Sequence, residues 1–124
     1  MTDAKDCELT LLKQADNKVF SSSIDPMLIP DEMICRTYQF LAFGVVFTNR
    51  RIVIIKPGEI IKAQTEYISL PFNRIQAYSI AASKGHGLNN ELTIWCTGLG
   101  SIKMGFASKA AAFEASEIIS MYVL

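Results

Sequence analysis

Phe47-Thr48-Asn49-Arg50-Arg51 is a short polar break between two apolar runs of strand length, Ala42–Phe47 and Ile52–Ile55. Two such runs joined by a few polar residues predict a β-hairpin. Asn49 is the residue suited to the left-handed geometry of a tight turn, and Arg50 is a poorer second turn residue than glycine. The same alternation of short strand and polar turn continues downstream until Ser108, where the composition becomes helical.

Outward from that hairpin, Met33–Phe40 is strand-like, with Ile34, Tyr38 and Phe40 on one face and Arg36 interrupting it. Pro57-Gly58-Glu59 predicts the next turn. Lys62–Leu70 follows as a strand stopped by Pro71, which cannot donate to a ladder. Arg74–Ala82 is the next strand, and Ser83–Asn90, with its glycines, asparagines and the single histidine, predicts a flexible loop. Glu91–Thr97 alternates cleanly, Leu92, Ile94 and Cys96 against Glu91, Thr93 and Trp95. Gly98-Leu99-Gly100 turns the chain into Ser101–Ala107, whose Ile102, Met104 and Phe106 face inward. The residues after Ser108 are strong helix formers, with Ser108 as cap and Ala111, Ala115, Ile118 and Tyr122 along one side.

Upstream, Leu9, Leu12, Ala15 and Val19 recur at spacings of three and four within Asp3–Phe20, with acids early and Lys13 and Lys18 later. That pattern predicts an amphipathic helix capped by Thr2 or Asp3. Ser21–Pro30, with its serine run and two prolines, reads as a connector. The expected organisation is therefore an N-terminal helix and connector over residues 1–30, then a barrel domain over 31–124 with its closing helix at 108–124.

At 124 residues the chain is long enough to close one hydrophobic core. Twelve basic residues balance twelve acidic ones, so no net field draws it to nucleic acid or anionic lipid. Neutrality combined with half apolar content favours association. Cys7, Cys35 and Cys96 lack ligand or CxxC spacing and read as free thiols in a reducing compartment. The chain lacks an apolar run near the roughly 18 residues of a membrane helix, and charges spread through Met1–Ala15 argue against a signal peptide. A cytoplasmic protein is the expectation.

Val46-Phe47-Thr48-Asn49-Arg50-Arg51, Glu66-Tyr67-Ile68-Ser69-Leu70-Pro71-Phe72, Arg74-Ile75-Gln76-Ala77-Tyr78-Ser79-Ile80 and Glu91-Leu92-Thr93-Ile94-Trp95 stand in this order. With the Ile102-Lys103-Met104-Gly105-Phe106 strand and a helix ending Tyr122-Val123-Leu124, they resemble the bacterial pleckstrin-homology-like domain family. The resemblance implies a partly open barrel of seven strands in two near-orthogonal antiparallel sheets, capped by the C-terminal helix. It also implies a non-enzymatic domain, mostly of unknown function, with self-assembling rings among its relatives. The family usually has a Gly-Glu pair before its first strand, where this chain reads Pro30-Asp31-Glu32. After the fifth strand it often carries Glu and Gly, where this chain reads Ala81-Ala82-Ser83-Lys84-Gly85.

Phosphoinositide binding needs several cations converging on the first hairpin loop, but Tyr38–Phe43 holds none. Asn49, Arg50 and Arg51 are the candidate contact for an anion or headgroup, and Phe40, Leu41 and Phe43 a candidate insertion loop for a lipid-binding alternative. A Cys35 or Cys96 pairing with His86 is the enzymatic alternative, with nothing to orient the imidazole. No metal or cofactor site is expected. Tyr67, Phe72, Tyr78 and Trp95 lack the basic stripe that nucleic-acid stacking requires. The main expectation is an interaction module. The hairpin strands, with Ile60 and Ile61, carry large side chains on both faces, so either the N-terminal helix or another subunit must cover the outer one. Val46, Val53, Ile55 and Trp95 are the candidate interface of a homo-oligomer, open to cyclic closure, with an unidentified protein as a further partner.

Overall fold

The computed structural model describes residues 7–58, 63–85, 87 and 89–124. In chain order it contains β1 (Cys7–Ala15), α1 (Ser21–Ile24), a 3-10 turn (Asp25–Met27), β2 (Ile34–Phe40), β3 (Phe43–Thr48) and β4 (Arg51–Lys56). Then come β5 (Glu66–Pro71), a 3-10 turn (Phe72–Arg74), β6 (Ile75–Ala81), β7 (Asn90–Cys96), β8 (Gly100–Phe106) and α2 (Lys109–Val123). Ile60, Ile61, Lys62 and His86 lie outside the described residues.

The hairpin forms where the polar break predicts it, with Val46 opposite Val53 and Phe47 opposite Ile52. Its turn is made differently. Asn49 does not adopt a left-handed conformation; among the described residues the non-glycine ones that do are Leu11, Asp31, Leu41 and Ala63. The Thr48 hydroxyl instead accepts hydrogen bonds from the backbone N–H groups of Arg50 and Arg51, both at 3.0 Å, and so folds the turn around one side chain.

The strands make one mixed sheet in the order β5-β4-β3-β2-β1-β8-β7-β6, rather than two sheets of seven strands. β1 is the difference. The expected N-terminal helix is a strand from Cys7 onward, antiparallel to β2 and parallel to β8, and among the described strands it joins the two halves. The misleading signal was the three-residue spacing of Leu9 and Leu12. Two such positions face opposite sides of a regular strand, but here the register shifts between them and Leu11 has φ 51°. The extra residue of this bulge turns both leucines into the core, where they are buried. A second irregularity, between Ile34 and Arg36, separates Ile34 from the face of Tyr38 and Phe40.

The core lies inside the curled sheet. The Tyr38 ring lies nearly perpendicular to those of Phe47 and Phe106, at centroid distances of 5.7 and 5.1 Å. α2 closes the open side. Its N-cap is Ser108, whose hydroxyl accepts from the Ala111 N–H at 3.1 Å. Ala111, Ala112 and Ala115 allow close approach, and Ile118 and Ile119 complete the buried face. Tyr122, expected on that face, is half exposed and stacks on Phe72 at 5.3 Å. The Tyr78 and Ser120 hydroxyls, 2.7 Å apart, tie β6 to the same helix.

Candidate functional site

Strand alternation sends Val45, Phe47, Ile52 and Ile54 into the main core and Val46, Val53 and Ile55 to the opposite face. The outward apolar face predicted from the sequence therefore exists, but it is not exposed. Val46 and Val53 are fully buried and Ile55 nearly so, beneath Phe20, Ile24, Met27 and Leu28, with Ile34 alongside. The stretch from Phe20 to Met33, which includes α1 and its 3-10 turn, lies across this face like a strap. The connector hides what looked like a contact surface. The sequence signal for this is Met27 and Leu28, apolar residues in an otherwise polar connector; Ile29 beside them is half exposed.

Two features seat the strap. At one end the Phe20 ring occupies the space above Gly44, where a β-carbon would come within 2.6 Å of the ring Cζ. At the other end the hairpin turn grips it. Arg51 donates from Nε to Glu32 Oε2 at 2.8 Å and from Nη2 to Glu32 Oε1 at 2.7 Å. Nη2 also donates to the Met27 carbonyl at 2.6 Å. Thr48 donates to Glu32 Oε2 at 2.7 Å, and the Ile29 N–H donates to Oε1 at 3.1 Å. Asn49 completes the grip, its amide donating to the Asp31 carbonyl and its Oδ1 accepting from the Met33 N–H.

The electrostatics follow from that geometry. The Arg51 guanidinium beside it holds the Glu32 carboxyl down to about 2, against the opposing effect of burial. Glu32 in turn raises Arg51. Two of the three candidate anion-contact residues, Arg51 and Asn49, are thus already engaged within the chain, and only Arg50 is exposed. The anion site expected at Asn49–Arg51 does not assemble. Glu32 is the residue that the sequence reading missed, because its partner is 19 positions away.

The remaining candidates are dispersed. Trp95 is 41% exposed on β7, between Ala77 of β6 and Ser101 of β8. In the loop between β2 and β3, Phe40 and Phe43 pack on the core, leaving Leu41 75% exposed with φ 54°. An open groove of about 540 Å³ runs beside it, lined by Leu11, Lys13, Gln14 and Phe40. Burial pushes the Cys7 and Cys96 thiols up, and Cys35 is half buried. Cys96 faces the core as predicted, while its proposed partner His86 lies outside the described residues. Among the described residues there is no cluster of ligating side chains suited to a metal ion, and no helix is long and apolar enough to cross a membrane.

A curled, open β-sheet plugged by a C-terminal helix defines a PH-like domain. The chain belongs to the bacterial PH domain family, whose model matches residues 5–123. It is 22% identical over 96 residues to the uncharacterized protein YjqA of Bacillus subtilis (strain 168), covering 76% of this chain and 77% of that one. It is also similar to a DUF1696 family protein with a pleckstrin-homology domain from Shewanella loihica PV-4. That crystal structure superposes with a TM-score of 0.80 at 16% identity, covering 93% of this chain and 99% of that one. A pleckstrin homology domain from Shewanella amazonensis SB2B gives a TM-score of 0.66 at 18% identity, over 89% and 90% of the two chains. PH domains are generally non-catalytic interaction modules, and these matches indicate no enzymatic family.

Proposed function

We propose that this chain is a non-enzymatic PH-like assembly module that self-associates through its strand edges, with Trp95 as the one of the four candidate interface residues that stays exposed. The observation that carries this is the edge at β6. Among the described residues β6 pairs only with β7. Its seven residues, Ile75-Gln76-Ala77-Tyr78-Ser79-Ile80-Ala81, contain neither a charge nor a proline. Charges and prolines are two common ways of blunting an edge, and β5 has both in Glu66 and Pro71. The register shift on β6 is confined to its start, between Ile75 and Ala77, so Ala77–Ala81 is the part that offers unpaired backbone groups to a strand of another copy. A head-to-tail contact of this kind closes into a ring when the rotation between copies permits and otherwise runs on as a filament.

A headgroup-binding module has less support, because Arg51 is committed to Glu32 and Phe40 and Phe43 are packed inward. Leu41 and Arg50 are what remains of it. The test is sedimentation of the wild type and of Ser79→Lys, which places a charge on the exposed middle of β6. Assembly in the wild type and its loss in the variant support the edge contact. Equal behaviour of the two, with the variant folded, refutes it.

A further inference from the structure

The strap covers a surface built like an interface rather than like an exterior. Val46, Val53 and Ile55 are large, apolar and contiguous, and the segment over them is short. α1 has four residues and no side-chain N-cap. Its apolar contacts come from Phe20, Ile24, Met27 and Leu28, and its polar ties converge on one place, the turn Thr48–Arg51. Four apolar side chains, only Ile24 of them fully buried, and a single polar clasp are what must be released to lift it.

The face beneath carries a defect consistent with a cover that lifts. Thr37 is cross-strand from Val46 and therefore shares its side of the sheet. Its hydroxyl is fully buried and has no hydrogen-bond partner among the described residues. A hydroxyl left unpaired in the closed state regains water when the face opens. Asp31, at the clasp end, holds φ 70°, a backbone geometry that costs energy for a non-glycine residue.

We infer that Phe20–Met33 is a releasable strap, and that the face of Val46, Val53 and Ile55 beneath it is a docking surface for a second copy of this chain. The occupant follows from complementarity. The strap of one molecule already fits this face, so the identical strap of a second molecule fits it equally, and two copies that open together can exchange straps reciprocally. This contact uses neither β6 nor Trp95, so it stands or falls separately from the edge contact proposed above.

The experiment uses the full chain and two variants that attack opposite ends of the strap. Glu32→Gln removes the clasp, and Gly44→Ala fills the notch of the Phe20 ring while leaving the clasp intact. Hydrogen exchange and sedimentation are measured on all three proteins at the same concentrations. The expected result is exchange of residues 20–33 about tenfold faster than wild type in at least one variant, with β7 and β8 unchanged. That variant also shows a larger, concentration-dependent mass than wild type. If the strap exchanges only together with the β7 and β8 amides, it is not a separate unit and the inference fails. If strap exchange accelerates while the mass stays that of the wild type, the docking half fails and the edge contact is untouched. If the wild type sediments as a monomer and the variants as larger species, the strap inference holds and the edge contact falls. Gly44→Ala keeps the test decisive should the unpaired Arg51 of Glu32→Gln unfold the domain.

Discussion

The Glu32 carboxylate meets the Arg51 guanidinium through two parallel hydrogen bonds, 2.8 Å at Nε and 2.7 Å at Nη2, with the Glu32 side chain fully removed from solvent. Fork geometry of this kind is available to arginine and not to lysine. The remaining carboxylate capacity is filled by Thr48 and by the Ile29 N–H. Breaking such a pair from one side leaves a buried charge uncompensated, at about 3–5 kcal/mol. Arg51→Met is therefore expected to lower unfolding free energy by that order in urea titration, and Arg51→Lys to recover only part of it. Full recovery by lysine would mean that the fork is not what holds the turn.

The same pair sets an acid limit. Glu32 titrates near 2 in the folded chain against an ordinary 4.5. A carboxyl depressed on folding contributes stability above its unfolded value and loses it as pH falls through its folded value. The contribution is about 3 kcal/mol, complete above roughly pH 4.5 and gone below roughly pH 2. Urea midpoints of wild type and Glu32→Gln should thus differ most at neutral pH and converge towards pH 2. A constant difference down to pH 2 would contradict the assignment.

Asp31 takes the left-handed conformation at φ 70° immediately before Glu32. Glycine adopts this region without steric cost, so glycine at position 31 would keep the backbone shape and change only the residue that adopts it. Aspartate tolerates this region better than most L-residues. Asp31→Ala is expected to cost about 1 kcal/mol and Asp31→Gly to be neutral or slightly stabilising. Thermal melts of the two variants check this, and equal effects would remove the backbone argument.

β1 carries two core leucines on either side of an exposed one. Leu9→Ala and Leu12→Ala should each cost roughly 2–5 kcal/mol. Leu11, at φ 51° and partly exposed, should cost less than roughly 1 kcal/mol on truncation. A helix would also put Leu9 and Leu12 on its apolar stripe, but with Val19 beside them, whereas Val19 is 44% exposed here. Val19→Ala is therefore expected to cost less than roughly 1 kcal/mol, and a core-sized cost on denaturation would favour the helix that the spacing suggests.

What was legible in the sequence, and what was not, divides by range. The hairpin at Thr48–Arg51, the alternation of Leu92, Ile94 and Cys96, and the Ser108 cap all depend on neighbours within a few residues, and each appears where the local pattern puts it. β1 was hidden because a bulge gives a strand the three-residue spacing of a helix. The cover over Val46 and Val53 was hidden because its residues, Phe20 to Leu28, sit in a stretch of serines and prolines that shows no period. The Glu32–Arg51 pair was hidden for a third reason: two charges 19 positions apart have no local signature. The edge at β6 lay between these cases, since its lack of charge was readable but its place at the end of the sheet was not.

Sedimentation velocity of the wild-type chain across micromolar concentrations is the most direct measurement of the assembly proposed here. The account predicts species at multiples of 13.7 kDa that grow with concentration and disappear in Ser79→Lys. A single 13.7 kDa species at every concentration would contradict it.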